Sequence, residues 1–133
     1  MGQLISTRAS IDRYLAALNA GDADTIAACV TDDFYNEHTS VGGRSLRGRA
    51  AYRERLTGFL ADYRDLRYEV EDVLVDGDRA AVAYRMSFRT SGAGGREVPV
   101  SVRGMFRFRV TGGLIAHRLD YWDGVTVARQ LSR

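Results

Sequence analysis

The chain has 133 residues, 45% of them hydrophobic and 27% charged, which is enough for one domain with a proper core and too little for two. All 19 basic residues are Arg, set against 17 acidic ones, so the formal charge is only +2 and no basic footprint for nucleic acid is implied. The absence of Lys excludes a Schiff-base or phosphate-loop lysine, and the single Cys29 excludes an internal disulfide or a multi-cysteine metal site.

Residues 4–20 read as an amphipathic helix, with Leu4, Ile11, Leu15 and Leu18 at helical spacing and Tyr14 near that stripe. Asn19-Ala20-Gly21-Asp22 ends it: Gly21 suits a left-handed C-terminal cap and Asp22 the next N-cap. A short helix from Ala23 to Val30 follows, in which Cys29 reads as a small core residue. Thr31-Asp32-Asp33 is expected to break the pattern before a strand at 34–39. Alternation there puts Phe34, Asn36 and His38 on one face and Tyr35 and Glu37 on the other. After a loop at 41–45, a third helix is expected from Arg47 to Tyr63, with Tyr52, Leu56, Phe59, Leu60 and Tyr63 inward.

Beyond Asp65 the period changes to two. A strand at 66–76 carries a phase slip near Asp72 that suggests a bulge, and Asp76-Gly77-Asp78 is a hairpin turn. The strand at 79–90 sets Val82, Tyr84, Met86 and Phe88 against Arg85 and Ser87. The strand at 97–110 sets its Val and Phe residues against Arg103, Arg107 and Arg109, read as a solvated face. The last strand holds Gly-Leu-Ile-Ala-His-Arg-Leu-Asp-Tyr-Trp-Asp-Gly at 113–124, and residues 125–133 read as a tail. Helices first and an antiparallel meander last give an α+β class over one domain, residues 1–133.

This order, with Asn19-Ala20-Gly21-Asp22 early and Asp120-Tyr121-Trp122-Asp123 late, resembles the SnoaL-like branch of the nuclear transport factor 2-like superfamily. The resemblance implies a cone-shaped curved antiparallel sheet wrapped around a pocket closed by the N-terminal helices. It implies a homodimer through the sheet, and chemistry needing no metal or organic cofactor. The branch includes polyketide cyclases, ketosteroid isomerases and epoxide hydrolases. Leu119-Asp120-Tyr121-Trp122-Asp123 resembles the terminal run of the hydrolases and cyclases, whose pocket acid falls on Asp120. Arg85-Met86-Ser87 resembles the hydrolases' Arg-x-Asp, but Ser87 replaces the second acid, which argues against epoxide hydrolysis.

The candidate catalytic residues are therefore Asp120 as base, Arg85 as its charged partner and His38 as a proton shuttle. Asn36, Ser87, Tyr14 and Trp122 are the candidate substrate contacts. A second reading stays open, in which Arg85, Ser87, Arg118 and Asp120 form cross-strand polar pairs in water. Tyr14 has the alternative of a buried helix–sheet contact, and His117 reads as a packing or interface residue. The expected function is a cofactor-free small-molecule enzyme of isomerase, cyclase or lyase type acting on a carbonyl compound. The alternatives are a binding module for a small hydrophobic ligand and a dimeric interaction domain. The expected partner is a small hydrophobic molecule, with no nucleic acid and no membrane. The N-terminal residues lack a signal-like apolar run, so a cytoplasmic location is expected.

Overall fold

The computed structural model describes residues 6–132. Helix α1 (Thr7–Ala20) starts on Ser6, whose side chain accepts from the Ala9 amide, so the predicted Leu4 lies outside the described residues. Gly21 takes the left-handed conformation (φ 69°) and returns its amide to the Ala17 and Leu18 carbonyls. Asp22 then caps α2 (Ala23–Ala28) by accepting from the Asp24 and Thr25 amides. Cys29 is buried, as its small apolar neighbours suggest.

Strand β1 (Val30–His38) begins four residues before the expected position, so Thr31-Asp32-Asp33 lies within it. Those polar residues look like a turn in sequence. Their strand geometry is held from outside, by Arg49 donating to the Val30 carbonyl and pairing with Asp32. The short β2 (Leu46–Arg47), which includes the expected start of the third helix at Arg47, pairs with Tyr35 and Asn36. Helix α3 (Arg49–Asp62) buries Tyr52 and Leu56. Then come β3 (Arg64–Asp76), β4 (Arg79–Ser91), β5 (Glu97–Thr111) and β6 (Leu114–Trp122). The predicted slip near Asp72 is present: pairing moves from Val70 opposite Tyr84 to Asp72 opposite Ala83.

Residues 124–131, expected as tail, form helix α4 (Gly124–Leu131), capped by Asp123 accepting from the Val125 and Thr126 amides. Val127 and Leu131, one helical turn apart, pack on Phe88, Val98 and Val100. That i, i+4 apolar pair behind an Asp cap was the available signal.

The sheet order is β2-β1-β6-β5-β4-β3. It is mixed: the meander from β3 to β6 is antiparallel, but β1 lies parallel to β6. The chain reaches β1 before the meander exists, and the last strand returns beside it. The main core is aromatic at its centre, where Tyr68, Tyr84, Phe106 and Phe108 form a chain of ring contacts 4.4–5.3 Å between centroids.

Asn19 gives the first inter-helix turn a second role. Its side-chain amide donates to the Tyr68 carbonyl (3.0 Å) and its oxygen accepts from the Tyr68 amide (2.7 Å). Tyr68 sits on the edge strand β3, so the carboxamide completes a backbone pair that no further strand supplies. Replacing Asn19 by Ala should lower the unfolding free energy by about 1–3 kcal/mol, as urea titration would measure. An unchanged midpoint would mean that this bridge carries no stability.

Candidate active site

Register builds the site. On β6, Arg118 and Asp120 share a face with Trp122, and their neighbours across β5 are Phe108, Phe106 and Gly104. On the other side, Asn36 of β1 stands beside Arg118, and His38 beside Asp120. The polar face of β6 is thus the inner face, and Arg118 and Asp120 are only 6% and 4% exposed. They line a cavity of about 570 Å³ together with Asn36, His38, Tyr52 and Tyr68. Leu56, Phe59, Met86 and Phe88 supply its apolar walls.

The Arg118 guanidinium is fully engaged. Its Nε donates to Asn36 Oδ1 (3.0 Å), Nη1 to the Tyr14 hydroxyl (2.9 Å), and Nη2 reaches His38 Nε2 (3.4 Å). Its planar group also lies 5.0 Å from the Phe106 ring centre. The Tyr14 and Tyr52 hydroxyls are 2.6 Å apart. Tyr14 is fully buried and already accepts from Arg118, so its own hydrogen has only Tyr52 to go to. Tyr52, which lines the cavity, is left with an O–H to offer.

Asp120 Oδ1 accepts from the Tyr84 hydroxyl at 2.5 Å. Oδ2 accepts no hydrogen bond, and His38 Nδ1 lies 3.8 Å away from it. Among the described residues no fully buried side-chain oxygen or nitrogen lacks a partner. Oδ2 is therefore open to the cavity, and by the same reasoning so is the hydroxyl of Tyr68. Burial raises the Asp120 pKa above the usual carboxylate range, against the lowering pull of Arg118 and the Tyr84 hydrogen bond. Burial likewise pushes the Tyr68 and Tyr84 hydroxyls well up, so both keep their protons.

Gly104 makes the Tyr84–Asp120 bond geometrically possible. Tyr84 lies opposite Gly104, and its hydroxyl crosses that residue to reach β6. A Cβ at Gly104 would collide with the Tyr84 hydroxyl and stand 2.6 Å from the Tyr121 carbonyl oxygen.

Two sequence assignments need correction. Arg85 and Ser87 do not line the cavity. They alternate with Tyr84, Met86 and Phe88, and it is the apolar set that faces inward, while Arg85 stands on the outer face between Glu69 and Arg103. These two are cross-strand polar residues near water, whereas Asp120 faces the cavity, and so does Arg118, which is expected from sequence only as a cross-strand partner. His38 is in the site, but it is no neutral-pH shuttle through an imidazolium. Burial, then Arg118 and Arg55, lowers its pKa to about 3. Asn36 and Trp122 line the cavity as expected, whereas Tyr14 sits behind its floor.

Sequence reasoning missed Arg118, Tyr84, Tyr52 and Tyr68 as site residues. Arg118 was findable, since it lies two residues before Asp120 on the same strand face. Tyr84 had one indirect sign: Gly104 interrupts the inward Val102, Phe106, Phe108 series with a missing side chain. The tyrosines of α3 and β3 read as apolar stripes and gave no further sign.

A six-stranded open sheet curled around a helix-backed cavity is an α+β cone, a fold shared with ketosteroid isomerase-like and nuclear transport factor 2-like structures. The SnoaL-like domain model matches residues 11–118, and the chain belongs to that family. Solved structures agree on the fold. A candidate polyketide cyclase of Pseudomonas putida KT2440 superposes with a TM-score of 0.79 at 20% identity, covering 96% of this chain and 99% of that one. A candidate SnoaL-like polyketide cyclase of Shewanella denitrificans OS-217 gives 0.84 at 14%, covering 94% and 96%. A Catenulispora acidiphila protein of ketosteroid isomerase-like fold, in complex with trimethylamine, gives 0.80 at 16%, covering 92% and 91%.

Two outcomes follow from this geometry. Tyr84→Phe removes a hydrogen bond that holds the Asp120 pKa down, so that pKa should rise further, and Gly104→Ala should reproduce the shift by displacing the hydroxyl. Carboxyl-resolved NMR titration would read both, and an unmoved Asp120 in Tyr84→Phe would contradict the assignment. His38 makes a separate prediction about stability. Its folded pKa lies below the unfolded value near 6.5, so the unfolded chain binds the proton first and stability is lost as pH falls from there toward 3. The loss should be about 2 kcal/mol between about pH 7.5 and about pH 5. The raised Asp120 opposes it, because the folded chain takes up that proton above the ordinary carboxylate range, so the His38→Gln comparison is what isolates the histidine. Denaturant unfolding of His38→Gln should lack this slope; an identical slope in both proteins would assign it elsewhere.

Proposed function

We propose that the cavity binds an apolar, carbonyl-bearing small molecule and transfers a proton on it, as an isomerase, cyclase or lyase. The observation that carries this reading is the open Oδ2 of Asp120, an acceptor of raised basicity on the floor of an otherwise mostly apolar chamber. The candidate polyketide cyclases among the structural relatives are in keeping with it. Oδ2 removes a proton from the carbon beside the carbonyl, and the C–H electron pair moves into the enolate. The developing enolate oxygen accepts hydrogen bonds from the Tyr52 and Tyr68 hydroxyls, both neutral at working pH and both on the cavity wall. Asp120 then returns the proton to a different carbon, or the enolate carbon attacks a second carbonyl of the same molecule, whose C=O π pair moves to oxygen and takes the proton from Asp120. Tyr84 holds the carboxylate in one orientation throughout, and Arg118 supplies a fixed positive charge behind it.

The test is exchange of the protons beside the carbonyl of apolar aryl ketones in deuterated water, followed by proton NMR. Wild type should accelerate the exchange, with a rate that rises with pH as Asp120 loses its proton. Asp120→Asn should lose about 10²–10⁴-fold of that rate. Equal exchange by wild type and Asp120→Asn would remove the mechanism.

One observation favours a second reading, a binding module. Arg118 and His38 satisfy one another, and among the described residues Asp120 is the one carboxylate on the cavity floor, so a reaction that needs a separate acid and base has no second acid positioned for it. In that case Asp120→Asn would leave ligand affinity intact and no exchange would occur in either protein.

A further inference from the structure

The rim of the cavity differs from its floor. Arg55 of α3 and Arg44 of the loop between β1 and β2 both line it. Arg55 Nη1 donates to the Arg44 carbonyl oxygen at 2.6 Å, which fixes the guanidinium over the opening. Its Nε and Nη2 edge, the edge that meets a carboxylate in a two-pronged pair, makes no hydrogen bond. The Arg44 side chain makes none either. Among the described residues neither arginine forms an ion pair, whereas Arg49, Arg53, Arg64 and Arg103 each hold an acid. The acid nearest in sequence on the same rim is Asp62, exposed and two helical turns beyond Arg55, and it pairs with neither. Arg118, by contrast, has all three of its nitrogens engaged. The positive charge at the rim is thus uncompensated, which agrees with the lowered pKa of Arg55, caused by burial and then by Arg44 and Arg118.

We propose that Arg55 and Arg44 form a subsite for a carboxylate at the outer end of the ligand, so that the cavity takes an apolar acid, carboxylate at the rim and carbonyl on the floor. This rests on the reading of the cavity as a small-molecule site, though not on proton transfer by Asp120. An uncharged compound of the same shape would leave two arginines on one rim without a counterion. An acid supplies that counterion and fills the open edge of Arg55.

The probes are 4-phenylbutanoate and its uncharged amide, with binding read from the emission of Trp122, the single tryptophan and a lining residue of the cavity. Wild type should bind the acid about tenfold more tightly than the amide, the factor for one charge-assisted pair. Arg55→Gln should remove about tenfold of the acid's affinity and leave the amide within about twofold, which also shows that the variant is folded. Arg44→Gln should move the acid in the same direction, and since that side chain makes no hydrogen bond its loss should not disturb folding. Equal affinity for acid and amide in wild type would overturn the proposal, as would an acid preference that survives in the Arg44→Gln/Arg55→Gln double variant. Failure of wild type to bind either probe would overturn it too. An acid preference that persists in Asp120→Asn, alongside absent proton exchange in wild type, would leave this subsite standing while removing the proton-transfer mechanism.

Discussion

Two opposite charges, Arg118 and Asp120, lie two residues apart on one strand face and are almost fully buried. Burying them unpaired would cost several kcal/mol each. The obvious solution, a direct ion pair between them, is absent. Each charge is instead satisfied by a separate set of neutral groups: Asn36, Tyr14 and His38 for the guanidinium, Tyr84 for the carboxylate. Those partners come from β1, α1 and β4, so satisfying two charges fixes the placement of three further elements. Keeping the charges apart also leaves one carboxylate oxygen uncommitted, which a salt bridge would have consumed.

The hydrophobic frame makes this arrangement affordable. Tyr68, Tyr84, Phe106 and Phe108 pack ring against ring beneath the polar floor. Aromatic side chains bury large areas while two of these four carry hydroxyls to the polar layer. The same residues therefore serve packing at one end and hydrogen bonding at the other. A core built from Leu and Val would hold the sheet but leave Asp120 unsatisfied on both oxygens.

Much of the fold was legible in the residue order. Gly21 and Asp22 announced the α1–α2 turn, and the changed alternation near Asp72 announced the bulge in β3. Asn36 and His38 were rightly put on one face of β1, and the face of Asp120 and Trp122 was rightly separated from that of His117 and Tyr121. Alternation divides a strand into two faces but does not say which is concave. On β6 the polar set turned inward; on β4 the apolar set did, which is why Arg85 and Ser87 were misplaced while Tyr84 was overlooked. Only the pairing of Tyr84 with Gly104, and of Gly104 with Trp122, resolves that ambiguity, and it is a property of register between strands distant in sequence. The early start of β1 escaped for a related reason: Arg49, on another element, holds its polar residues extended.

The junction between β6 and α4 has a consequence for how such a pocket diversifies. Arg118, Asp120 and Trp122 on the strand and Val127 on the helix all line the cavity, and Asp123 caps the helix at once after the strand ends. Floor chemistry and part of the wall shape thus travel on one short uninterrupted stretch, residues 118–127. Recombination within that stretch would change acid and wall together, whereas the rim arginines and the helical wall lie on segments far away in the chain. The floor acid and this part of the wall therefore vary together in this protein, and independently of the rim arginines and the helical wall.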